Sequence, residues 1–103
     1  MGGHSLISTD ILASYAADAA REITGVRGLV EGARPRHRGV KVSEDDGQVS
    51  FEVHLALDWG TNVRDVGRAV QARVSAYLVR MADVSPRTID VIVDEIGPPP
   101  NGH

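Results

Sequence analysis

Apolar residues recur along this chain with two different periods. Leu12, Ala16, Ala19 and Ile23 repeat at three- and four-residue spacing, the rhythm of one helix face. Ser8, Thr9 and Asp10 are helix-start residues and Gly25 is a natural stop, so the spacing predicts a first helix over about 9–24. Ile11 and Tyr15, also four apart, widen its core stripe. Val26, Leu29 and Val30 lie among Gly25, Gly28 and Gly32, which predicts a short or bulged strand. Val40 and Val42 then alternate with Lys41 and Ser43. The following Glu44-Asp45-Asp46-Gly47 suits a hairpin turn, because Asp and Gly tolerate positive φ.

The clearest strand comes next. Val49, Phe51, Val53, Leu55, Leu57 and Trp59 share one face, and Ser50, Glu52, His54, Ala56 and Asp58 share the other. The first face is core, and the second is wet or covered by a partner. Gly60 ends the strand, and Thr61 or Asn62 caps a second helix running to about Ala82. Its apolar stripe is Val63, Val66, Val70, Val74, Tyr77, Leu78 and Met81, with Arg64, Asp65, Arg68, Arg73 and Arg80 mostly on other faces. Ile89, Val91 and Val93 alternate with Thr88, Asp90, Ile92 and Asp94 in a last strand, which can return parallel to a neighbour. The order α-β-β-β-α-β predicts a single α+β domain over 7–96: two layers, with two helices on one face of a small mixed sheet. Residues 1–6 and the Pro-rich residues 97–103 read as flexible tails.

Composition narrows the function. A chain of 103 residues holds one core, and 42% hydrophobic with 24% charged residues is a globular balance. No apolar run approaches the roughly 18 residues that cross a bilayer, and no basic-then-apolar leader opens the chain, so direct membrane insertion is not expected. Cysteine is absent, which excludes disulfides, thiol catalysis and cysteine metal sites and suits a reducing cytoplasm. A formal charge of -3 supplies no global field toward nucleic acid or anionic lipid.

Ser50, Glu52 and His54 superficially form a nucleophile, acid and base set. Alternate strand residues lie roughly 6.5 to 7 Å apart, too far for the outer two to share a relay, so this face reads as solvated rather than catalytic. His4, His37, His54 and His103 lack metal-ligand spacing, and Glu44 to Asp46 lacks the alternating oxygens of a calcium loop. No catalytic residue, cofactor or structural metal is expected. Gly2-Gly3-His4 would offer copper or nickel a square-planar set if Met1 were removed. Arg34, Arg36, Arg38 and Lys41, with His37, form a basic stretch that could contact phosphates, which makes a small nucleic-acid-binding domain the alternative reading. Against it, no aromatic residue interleaves the stretch. Gly25-Val26-Arg27-Gly28 matches the Gly-x-x-Gly of a K-homology domain, but a broken strand rather than a helix follows.

Ile7-Ser8-Thr9-Asp10-Ile11-Leu12 before an alanine-rich helix, Ile23-Thr24-Gly25-Val26-Arg27-Gly28-Leu29, Val49 to Leu57 ending in Trp59-Gly60-Thr61-Asn62-Val63, Val70-Gln71-Ala72-Arg73-Val74, and Ile89-Asp90-Val91-Ile92-Val93 are carried in this order. Together they resemble the alkaline shock protein family of bacterial envelope-stress proteins, over about residues 7–96. The sequence departs from that pattern in having Trp59 where Tyr is usual, and in Pro98 to Pro100. The resemblance implies a non-enzymatic cytoplasmic protein acting in envelope homeostasis, held beside the membrane in some members by a membrane-anchored protein partner. It brings no catalytic residues. Trp59 is a candidate docking residue, although a strand end, hinge and cap also account for its segment. Gln71 reads as a side chain bonding backbone. Ile92 and Ile96, in one outward phase of the last strand, are candidates for partner binding or homo-oligomer contact.

Overall fold

The computed structural model describes residues 7–32 and 36–98. The expected tails fall largely outside these, as do Arg34 and Gly2-Gly3-His4. The elements are α1 (Thr9–Arg21), β1 (Val26–Leu29), β2 (Val40–Asp45), β3 (Gln48–Leu57), α2 (Val63–Ala82) and β4 (Thr88–Ile96), in the predicted α+β order.

Ser8 caps α1, its hydroxyl oxygen accepting the Ile11 N–H at 3.1 Å. The helix stops at Arg21, three residues short of the expected end, because the Glu22 and Ile23 N–H groups tighten back onto Ala19 and Ala20. Gly25 lies beyond the helix with φ +101°, and a Cβ there would come within 2.9 Å of Thr61 Cγ2. Its glycine thus serves the close passage of the chain past the start of α2. Leu12, Ala13, Ala16, Ala17, Ala19 and Ala20 are buried, so α1 approaches the sheet on a flat alanine face. Ile11 is 48% exposed and is not core, whereas Tyr15 packs edge-on against Tyr77 of α2 with ring centroids 6.0 Å apart.

β3 is the central strand. β4 runs parallel to it over Ser50 to Leu57 on one edge, while β2 (antiparallel, opposite 48–53) and β1 (antiparallel, opposite 55–57) follow one another along the other. The sheet is therefore mixed, as expected. β1 is bulged between Val26 and Gly28, again as its glycines predict. Asp46 and Gly47, at φ 54° and 80°, close the β2–β3 hairpin as a two-residue turn with both residues left-handed.

Val49, Phe51, Val53, Leu55 and Leu57 are all buried against the two helices. Trp59 is a correction: β3 ends at Leu57, a turn follows in which the Thr61 N–H bonds to the Asp58 carbonyl, and Trp59 is 57% exposed instead of sharing the core face. Asn62 caps α2, accepting the Asp65 N–H at 3.0 Å. Val66, Val70, Val74 and Leu78 form its buried stripe, and Val63 and Met81, expected to extend it, are exposed at the two ends.

Candidate functional site

The sheet face away from the helices departs most from expectation. His54, read as a solvated residue, is 7% exposed. Both of its main-chain groups mark the junction of β1 and β2: its N–H donates to the Gly39 carbonyl and its carbonyl accepts the Val30 N–H, each at 2.9 Å. The connection between Val30 and Gly39 thus leaves and returns at His54. From it Arg36 reaches Asp94 Oδ2 at 3.2 Å and also donates to the Val30 carbonyl at 3.2 Å.

Asp94 is in position because β4 is bulged. The register runs from Leu55 opposite Val93 to Ala56 opposite Glu95, so Asp94 is the extra residue. Its Oδ2 lies 2.8 Å from His54 Nδ1, and Glu52 Oε2 lies 2.6 Å from His54 Nε2. Carboxylates only accept, so both contacts are hydrogen bonds together when both ring nitrogens carry hydrogen. The His54 hydrogen bond, followed by the charges of His54 and Arg36, holds the Asp94 carboxyl below its ordinary value although desolvation acts the other way.

This network is chemically closed. The imidazole has no free nitrogen to act as base or ligand, and Ser50 is not joined to it by any hydrogen bond. Among the described residues no group of three His, Cys, Asp or Glu side chains is arranged to hold a metal ion, and no buried side-chain nitrogen or oxygen lacks a partner. The arrangement ties together β3, β4 and the connection before β2.

The basic stretch is dispersed by the fold. Arg36 faces Asp94, Arg38 turns toward α1 and bonds Asp18 at 3.1 Å, and Lys41 stands opposite Glu52 in the β2–β3 register. Arg34 lies outside the described residues. The β4 bulge also separates the two isoleucines: Ile92 is registered with His54 and Ile96 with Leu57, so their expected common phase is broken. Ile92 is half-buried and Ile96 is 52% exposed. Gln71 donates to the Ile89 carbonyl at 2.8 Å, the backbone role expected of it. The sequence reading missed a groove of about 510 Å³ between α2 and β4, lined by Val63, Arg64, Gly67, Arg68, Val91 and Val93, with Gln71 at its edge. A glycine inside an otherwise regular helix was the available signal.

Comparison with known proteins agrees with the architecture. Residues 2–98 match the alkaline shock protein 23 family, described as having a cell envelope-related function. The match covers nearly the whole chain, and the chain belongs to that family. No curated protein matches the sequence. Among solved structures, a MamM CTD variant in its nickel form superposes with a TM-score of 0.63 at 17% identity, covering 84% of this chain and 96% of that one. A MamM CTD variant in a zinc form gives 0.63 at 16% identity, covering 84% and 85%. A similarity at this level of identity concerns the fold.

Proposed function

We propose, from membership of the alkaline shock protein 23 family, that this chain is a non-enzymatic interaction protein of the bacterial envelope-stress response. It works in the cytoplasm and reaches the membrane through a membrane-anchored protein. The family match over residues 2–98, with its cell envelope-related function, carries the reading. Two further observations support it. The polar network on the sheet is self-satisfied and leaves no reactive group poised. No helix among the described residues is long and apolar enough to cross a membrane, so contact with a bilayer through a protein partner fits better than insertion of a helix. Trp59 and Ile96, both exposed, and half-buried Ile92 are the contact residues of this reading.

The test is affinity capture of the tagged protein from its native cells with membrane fractions retained. A membrane-anchored protein should co-purify, while the purified chain mixed with anionic liposomes at physiological salt stays in the supernatant. Capture of no protein, together with tight and steeply salt-dependent binding to random oligonucleotides, would replace this reading with the nucleic-acid alternative.

A further inference from the structure

The groove between α2 and β4 combines features that the fold does not use. Val63 at its rim is 44% exposed, and Val91 and Val93 of β4 are half-buried beneath it. Arg64 and Arg68, one helical turn apart on the same side of α2, line it and make no ion pair with the described residues. Arg36, Arg38 and Arg73 contrast with them, each meeting a carboxylate of this chain.

Gly67 lies between these two arginines. It stands well inside a helix of 20 residues, where glycine is the least favourable residue after proline. Nothing lies within 4 Å of where its Cβ would be, so no internal contact demands a glycine. A bare stretch of helix backbone, flanked by two guanidiniums that meet no carboxylate among the described residues and floored by valines, permits another backbone to approach closely.

We infer that this groove seats an amphipathic helix of a partner protein, with apolar side chains on Val63, Val91 and Val93 and carboxylates on Arg64 and Arg68. The inference rests on the interaction reading and names the chemistry of the partner. Charge decides among the possible occupants. Residues 1–6 and 99–103 contain no acidic side chain, so these segments bring no side-chain carboxylate to the arginines. A second copy packing α2 on α2 about a two-fold axis would set Arg64 and Arg68 against their own equivalents. An acidic, apolar-faced helix meets both the charge and the shape.

The experiment selects helical peptides from a random displayed library against the purified chain and measures their affinity by fluorescence anisotropy. Peptides bearing Asp or Glu beside an apolar face should be enriched. They should lose roughly tenfold or more in affinity against Arg64→Glu/Arg68→Glu and against Gly67→Leu, which fills the groove. Gly67→Ala should raise Tm by roughly 4 °C or more while weakening the same peptides, an opposition that a purely structural glycine would not produce. Enrichment without acidic residues, or affinity indifferent to Gly67→Leu, overturns the inference. So does concentration-dependent self-association abolished by Gly67→Leu in sedimentation, which assigns the groove to a second copy. Pelleting with phosphatidylglycerol vesicles abolished by the arginine variants assigns it to lipid and overturns it equally. Capture from native cells separates this inference from the function it rests on: a partner retained by Gly67→Leu removes the groove and keeps the interaction role, whereas no partner even for the unaltered chain removes that role.

Discussion

The two faces of the sheet are stabilised by different physics. Against the helices, Phe51, Val53, Leu55 and Leu57 of β3 are essentially fully buried and meet alanines of α1 and valines of α2. Burial of this kind is non-directional and roughly proportional to area, so neighbouring apolar residues can repack. On the opposite face, closure depends on a directed set of contacts: Glu52 to His54, His54 to Asp94 and Asp94 to Arg36. Such contacts fail individually when one partner is removed. On this face only His54 is buried, while Ser50, Glu52 and Ala56 stay half-buried, so the polar closure is local to one residue where the apolar layer runs the length of the strand.

The largest effect is expected where an unpaired carboxylate enters the apolar layer. Leu55→Asp should cost several kcal/mol, an appreciable part of the roughly 5 to 15 that hold a domain, and abolish the cooperative melt followed by circular dichroism. Ser50→Asp, on the other face, should melt close to the parent. Equal loss in both would erase the distinction between the faces. His54→Ala comes second. It leaves Glu52 and Asp94 without their shared donor, and a loss of about 1–3 kcal/mol in urea unfolding is expected. An unchanged midpoint would mean that the network contributes nothing net.

The apolar face was legible in the sequence, and the polar one was not, for an identifiable reason. Period-two alternation from Val49 to Leu57 specifies which side chains share a face without any knowledge of strand partners. Closure around His54 instead requires Asp94, which is brought there by one extra residue in β4, and Arg36, which lies before β2 outside any helix or strand. Neither a bulge in a parallel pair nor a loop side chain leaves a periodic mark. The same bulge separates Ile92 from Ile96, and simple alternation placed both in one phase. Trp59 was misplaced by extending alternation past the last ladder bond, although Gly60 already marked the end. The β1 bulge, by contrast, was announced by its own glycines, and the pattern narrowed the cap of α2 to Thr61 or Asn62 and placed its end near Ala82, where the helix starts on an Asn62 cap and stops at Ala82. The groove at Gly67 left only a one-residue anomaly in an otherwise good helix.

Acid sharpens the comparison further. The Asp94 carboxyl titrates lower in the folded protein than in the unfolded chain, chiefly through its hydrogen bond to His54. The unfolded state therefore binds the proton more readily, so Asp94 adds stability above its unfolded pKa and loses it as pH falls through the folded value. Stability should decline below about pH 4, the ordinary carboxylate range. Asp94→Asn should flatten that part of the urea midpoint–pH curve while lowering the plateau at neutral pH. A variant curve parallel to the parent's throughout would show that the acid limb comes from other carboxylates.

The smallest effect is expected at the end of the sheet, beyond both faces. Trp59 is past the last residue of β3, and more than half of its surface is exposed. Ile96, registered with Leu57, is also about half exposed despite sitting in the ladder. Little apolar area is withdrawn from water at either side chain, so Trp59→Ser and Ile96→Ser should each stay within about 0.5 kcal/mol of the parent in chemical unfolding. Ile92→Ser should cost more, because Ile92 is half-buried beside His54. If Trp59→Ser destabilises the isolated chain as much as His54→Ala, the indole belongs to the domain's own packing. If it leaves the melt alone but removes the membrane-anchored protein from affinity capture, its exposure serves docking, and the exposed side chains at this end of the sheet form a third region whose role is toward a partner rather than toward the fold.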